Sequence, residues 1–354
     1  MEFIQDLIAA LGAMLNGIPQ AIMAMGLGFS TFATSIGFFV GAILTFVFKS
    51  AAPLSFQAET LVLVGQQGEN ARERYSIVFW SSLLLLIIGL TGAVEGIIQW
   101  VGQDIIDGMM AGVGIMLAKI GVDNVKASTY TGGSSLITAV IIYLFTQDLL
   151  WCLIGSVAIS SVVDYYFAKN QPVAETSTET KSFQFYKPFF NSNVVKGALS
   201  VTSLSVATSI SYGLITGQMT GIEPNPVNVN HYATTQGVSN AISSLFGGAP
   251  IASVISATGA SVQPVRAGIL MMVILGALLA AGMMPKIAKF IPSTSIAGFL
   301  FVLGMFVTFP SNAANALAVA NNFPAAMTLI ITAVIDPFTG LVSGGLLKLF
   351  MSIL

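Results

Sequence analysis

Apolar runs fill almost the whole of this chain, and one long polar stretch interrupts them. A helix crossing the hydrocarbon core of a bilayer needs about 20 mostly apolar residues. Here the runs are residues 4–29, 33–48, a short broken segment 52–64, 75–101, 105–120, 134–145 and 149–167. After the polar stretch 168–192 come 194–219, 231–246, a second short segment 249–262, 267–284, 296–309, 325–335 and 338–354. The pattern predicts an all-α integral membrane protein of about 14 transmembrane segments, with the lipid bilayer as its solvent. Its parts are residues 1–167, a linker 168–192, and 193–354.

Composition narrows the function. Charged residues make up 8 % of the 354, against about 25 % in a soluble domain. The single cysteine, Cys152, and single histidine, His231, leave no disulfide framework and no histidine or thiolate metal site. No nucleophile–base set stands out. We therefore expect no enzyme, no metal, no cofactor and no nucleic-acid partner. The expected work is recognition and movement of a small solute.

Two sets of seven suggest duplication. KSAAPLSFQAETLVLVGQ, residues 49–66, aligns without a gap on FGGAPIASVISATGASVQ, residues 246–263. Ala52 and Pro53 fall on Ala249 and Pro250, and Glu59 falls on Ser256. In the fifth segments, Gly108 and Gly114 fall on Gly298 and Gly304. Seven is odd, so the second half enters from the opposite side. That is a 7+7 inverted repeat, an architecture of secondary transporters.

The two short segments, third and tenth in order, begin with Ala-Pro. Proline removes a backbone donor and biases the preceding residue to extended geometry. Extended backbone at membrane depth is tolerated only where protein or water satisfies it. Each segment should be a short strand plus a half-helix, the two crossing at the midplane with their strands paired. Half-helix N-termini offer free N–H groups and positive dipole ends to a ligand. Ser55 and Gln57 lead into the first, Ser253 and Ser256 lie in the second, and all four are candidate solute ligands. Asn16 and Gln20 in the first span share a helix face and join them. Glu59 is the carboxylate of this region. An acid at membrane depth is functional by default, so Glu59 is the candidate coupling residue for H⁺ or Na⁺.

NAISSLFGGAPIASVISATGASVQPVRAGI, residues 240–269, and VATSISYGLITGQ, residues 206–218, resemble the nucleobase–cation symporter family of the xanthine/uracil permease type. That family shares its fold with sulfate-permease-type anion transporters. The resemblance implies a core of spans 1–4 and 8–11 and a gate of spans 5–7 and 12–14. It also implies an elevator-type mechanism, a homodimer and a plasma-membrane location. Nucleobase members carry a carboxylate in spans 8 and 10; here those positions are Thr208, beside Ser209, and Ser256. The function expected from the resemblance is a nucleobase permease coupled to H⁺ or Na⁺. The missing carboxylates keep two alternatives open: an anion transporter of sulfate-permease type, and a non-transporting membrane protein with a degenerate site.

Overall fold

The computed structural model describes residues 2–167, 184–223, 225–284, 286, 292–319 and 321–353. The side chain of Asn16 and most of the expected linker lie outside the described residues. In chain order the elements are α1 (Glu2–Gly26), α2 (Thr31–Phe48), β1 (Leu54–Ser55), α3 (Ala58–Gln67), α4 (Ala71–Leu90), α5 (Ala93–Val101), α6 (Gln103–Ala127), α7 (Thr129–Thr146) and α8 (Leu149–Phe167). They continue with α9 (Ser192–Gln218), α10 (Val229–Ser244), β2 (Ala252–Ser253), a 3₁₀ turn Ala257–Ala260 and α11 (Pro264–Ala280). Last come α12 (Ala297–Val302), a π-helical stretch Leu303–Thr308, α13 (Phe309–Ala316), α14 (Phe323–Val334) and α15 (Pro337–Ile353).

Local chemistry sets the boundaries. Ser30 caps α2 by accepting from the Ala33 amide at 3.2 Å. Asn70 caps α4 through the Glu73 amide at 3.0 Å, and Asn228 caps α10 through that of His231 at 2.9 Å. The apolar run 75–101, expected as one span, is two helices. Gly92 sits at φ +73°, a left-handed conformation that glycine adopts without a Cβ penalty, and it ends α4 before α5 begins. Among the described residues five helices are long and apolar enough to cross a membrane, and four shorter helices are apolar. The fourteen expected spans are not reached on that count.

The chain divides into two compact units. Unit 1 comprises Met1–Ile97 and Ser177–Pro285. Within it α2 packs on α10 and α11, and α4 on α9 and α10, while α1 lies along α11. The two strands pair antiparallel, Leu54 with Ser253 and Ser55 with Ala252. Ser55 and Ala252 are the residues that the gapless alignment of the two halves matches. The expected strand pair is present, but the prolines precede the strands and do not open the helices. The half-helix is present only in the first segment, as α3. The second segment has a single 3₁₀ turn instead, because proline at the first position of α11 starts a new helix there.

A buried carboxylate ties the start of α1 to the start of α11. Asp6 is fully buried. Its Oδ1 accepts from the Gln263 amide at 3.0 Å and its Oδ2 from Arg266 Nε at 2.7 Å. The first-half arginine, Arg74, donates instead to the backbone carbonyls of Gly68 and Leu27 at 3.0 and 2.7 Å.

Unit 2 comprises Ile98–Thr176 and Lys286–Leu354. Its helices approach through glycine. A Cβ on Gly108 would lie 2.6 Å from the Ala325 carbonyl oxygen on α14, and one on Gly298 would strike the Ser135 carbonyl on α7. Gly114 on α6 and Gly304 in the π-helical stretch meet each other, backbone against backbone. These two are also repeat counterparts in the sequence alignment.

Candidate functional site

The chemistry-bearing residues of the short segments gather in unit 1 around the strand pair. Ser55, Gln57, Glu59, Ser253 and Ser256 are all buried. Alpha helix α3 opens at Gln57, whose backbone is extended and whose side chain gives no hydrogen bond to the first-turn amides. The Gln57 amide oxygen accepts the Thr60 hydroxyl. That leaves its nitrogen pointing elsewhere, buried and without a partner among the described residues. A buried donor left unmade costs about 1–3 kcal/mol, so such a group marks a place where something else binds or where function holds strain.

Gln20, on α1, presents the complementary defect. Its amide oxygen is buried and also has no partner among the described residues. One helical turn earlier, Gly17 brings α1 against β1: a Cβ there would lie 3.2 Å from Ser55 Oγ. Asn16, expected beside Gln20, has its side chain outside the described residues.

The polar groups of the second segment are met inside unit 1. Ser256 Oγ accepts from the Thr258 amide at 3.3 Å and lies 2.8 Å from the Thr258 hydroxyl. The Ser256 amide donates to Thr216 Oγ1 at 3.2 Å. Thr208, fully buried, donates to the Ser205 carbonyl of its own helix at 3.3 Å. Ser209 does reach the strand pair, with its Oγ 3.1 Å from that of Ser253.

Glu59 lies in the first turn of α3 and is 4 % exposed. Its Oε1 accepts the hydroxyl of Tyr212 at 3.1 Å. The positive end of the α3 dipole lies at this turn. Tyr212 belongs to a polar stripe on α9 made of Ser205, Ser209, Tyr212 and Thr216. Each side chain on it bonds a neighbouring element of unit 1: Ser205 receives from Gln236, Ser209 meets Ser253, Tyr212 reaches Glu59, and Thr216 donates to the Val254 carbonyl.

A second stripe, on α10, was not singled out from the sequence. Tyr232, Gln236 and Asn240 are spaced four residues apart, so they share a face, and all three are buried. Tyr232 donates to the Pro53 carbonyl at 2.7 Å and accepts from the Val254 amide at 3.3 Å. Gln236 accepts the Ser253 hydroxyl at 3.2 Å. Asn240 donates to the Ile251 carbonyl at 2.7 Å and accepts the Ile251 amide at 2.9 Å. A two-residue strand pair leaves backbone groups without sheet partners, and Tyr232 and Asn240 supply them. The i, i+4, i+8 spacing of three polar side chains was the available signal. It lies outside the proline-marked segments.

No protein-family profile matches the chain, and no curated protein sequence matches it. Solved structures do. The transmembrane domain of a cyanobacterial bicarbonate transporter, BicA, superposes with a TM-score of 0.70 at 16 % identity, covering 97 % of each chain. SLC26A9 superposes with a TM-score of 0.69 at 13 % identity, covering 99 % of this chain and 65 % of the other. The murine Slc26a9 anion transporter, in an inward-facing state, matches with a TM-score of 0.69 at 12 % identity over 99 % of this chain and 68 % of that one. At these identities the likeness is one of fold. Together with the five long apolar helices it describes a multi-pass membrane protein. The shared sulfate-permease-type fold expected from the resemblance is found. The xanthine/uracil family itself receives no support from any comparison.

Proposed function

We propose that the protein is a secondary transporter for a small anion, of the sulfate-permease type rather than a nucleobase permease. The observation that carries this reading is the Gln57 amide nitrogen, a buried donor without a partner at the open start of α3. A helix start is a ready anion site, and Gln57 adds a directed donor to it. Two further points support the reading. The base-binding carboxylates of nucleobase permeases are replaced by Thr208 and Ser256, whose hydroxyls are engaged locally. Solved structures of like fold include a bicarbonate transporter and an anion transporter.

Unit 1, which holds every site residue named above, is the solute-carrying body. The register of Ser55 on Ala252 and the meeting of Gly114 with Gly304 support the inverted repeat, since counterparts on a two-fold axis must touch. Glu59 is the coupling residue. It shares the positive end of α3 with the anion, so two negative charges there require a cation, H⁺ or Na⁺, to accompany the solute.

Purified protein in proteoliposomes tests this. Radiolabelled bicarbonate, sulfate, xanthine and uracil are offered with and without H⁺ and Na⁺ gradients. Saturable, gradient-dependent anion flux that the bases leave unchanged is expected. Saturable flux of a base, with none of either anion, would refute the reading.

A further inference from the structure

We propose that Tyr212 is a positioning residue for the coupling step: its hydroxyl steadies the bare charge of Glu59 when the carrier is empty, and so sets how readily the cation leaves and the empty carrier returns. The inference rests on the reading of Glu59 as the coupling residue and names the side chain that works with it.

Tyr212 sits between two fixings of α9 to the second segment. One turn before it, Ser209 meets Ser253 at 3.1 Å. One turn after it, Thr216 donates to the Val254 carbonyl at 3.1 Å and accepts the Ser256 amide at 3.2 Å. The neighbouring Gly213 is packed so closely that a Cβ there would lie 2.9 Å from the Tyr232 ring. The backbone at Tyr212 is therefore held to the second segment, while its hydroxyl crosses to the first and donates to Glu59 Oε1 at 3.1 Å. The other donor to this carboxylate is the backbone amide of Glu59 itself. The helices packed against α3 are α1, α4 and α9. Their remaining charged or titratable groups are placed elsewhere: Asp6, Glu73, Arg74 and Tyr75 are bonded to other partners, and Glu2, Arg72 and Lys196 are exposed.

An ionised carboxylate is an acceptor only, and a phenol is a donor it can use. A hydrogen bond to a charged acceptor is roughly twice as strong as one between neutral groups. The bond from Tyr212 is therefore strongest when the Glu59 charge is bare, and it weakens when a cation neutralises that charge. Tyr212 favours the unloaded carrier over the loaded one. Exchange of one anion for another cycles the loaded carrier alone. Net uptake also requires the cation to leave and the empty carrier to return with Glu59 buried and charged. A buried charge without a partner is costly, and Tyr212 supplies the partner for that half of the cycle.

The experiment uses the full chain in proteoliposomes, with labelled sulfate and bicarbonate as probes and H⁺ or Na⁺ as the cation. It reads net uptake driven by a cation gradient, counterflow against the same unlabelled anion, and the cation concentration giving half-maximal counterflow. Tyr212→Phe keeps the ring and removes the hydroxyl. The half-maximal cation concentration should fall roughly tenfold, the usual effect of one hydrogen bond to a charged group, and net uptake should fall by about as much. Counterflow at saturating cation should stay at the parent level. Tyr212→Met also lacks the hydroxyl and is measured beside it, so the test survives if one variant fails to fold. A merely structural role would lower net uptake and counterflow together, and that result overturns the inference. A half-maximal cation concentration unchanged or raised overturns it too. An unaltered protein that moves the anions without any cation dependence, or moves neither anion, overturns the reading of Glu59 as well, and the inference falls with it.

Discussion

Glu59→Gln is expected to abolish accumulation of solute against a gradient while leaving exchange of solute across the membrane. The residue is 4 % exposed and sits in the first turn of α3, with Tyr212 donating to it at 3.1 Å. An acid at the centre of a spanning helix costs at least about 2.5 kcal/mol on insertion scales, which is a poor use of a position that Ser or Ala would fill. Glutamine keeps the shape and the acceptor for Tyr212 and removes only the charge. If that charge brings one cation with each anion, its loss uncouples the cycle without emptying the site. Uptake driven by an imposed H⁺ or Na⁺ gradient should fall to the level seen without a gradient. Counterflow of labelled against unlabelled solute should persist. Gradient-driven accumulation unchanged in the variant would mean that Glu59 carries no coupling ion.

Gly304→Leu is expected to prevent unit 2 from folding. Gly304 meets backbone on the facing helix: a Cβ would collide with the Gly114 carbonyl oxygen and lie 2.7 Å from the Ala118 amide nitrogen. Overpacking a core typically costs 1–3 kcal/mol when side chains can yield. Here the obstacle is helical backbone, which yields little, so a cost above about 3 kcal/mol is expected, a large share of the 5–15 kcal/mol that holds a typical protein folded. Gly133→Ala in α7 is the control, since a Cβ there meets nothing within 4 Å. Gly304→Leu should yield no monodisperse protein in mild detergent, and Gly133→Ala should match the parent in yield and thermal midpoint. Normal folding of Gly304→Leu would show that the two helices separate more easily than their contact implies.

Much of the fold's outline could be read from residues. Proline cannot join a ladder or continue a helix, so two Ala-Pro pairs at matching places announced two short strands, and Leu54 and Ser55 do pair with Ser253 and Ala252. The matched glycines Gly114 and Gly304 meet because close backbone approach is the one contact that only glycine permits. Helix starts were legible where apolar runs begin: the run from 149 opens α8 at Leu149. Legibility failed where satisfaction of polar groups depends on distant partners. Ser256 looked like a ligand, yet its oxygen serves its own turn through Thr258. Only the fold reveals that Tyr232 and Asn240 hold backbone and Gln236 the Ser205 and Ser253 hydroxyls. Asp6 carries no sequence signal of its own, yet it is buried and bonded to Arg266 and the Gln263 amide.

The central claim is that an anion binds at the start of α3 through Gln57, and equilibrium binding of labelled bicarbonate to purified protein tests it most directly. Gln57→Leu removes the unpartnered donor and keeps the bulk of the side chain. Saturable binding to the unaltered protein is expected, weakened roughly tenfold or more in the variant as one charge-assisted hydrogen bond is lost, and undisturbed by excess xanthine or uracil. Equal affinity in both proteins, or displacement of the anion by a nucleobase, would contradict the account.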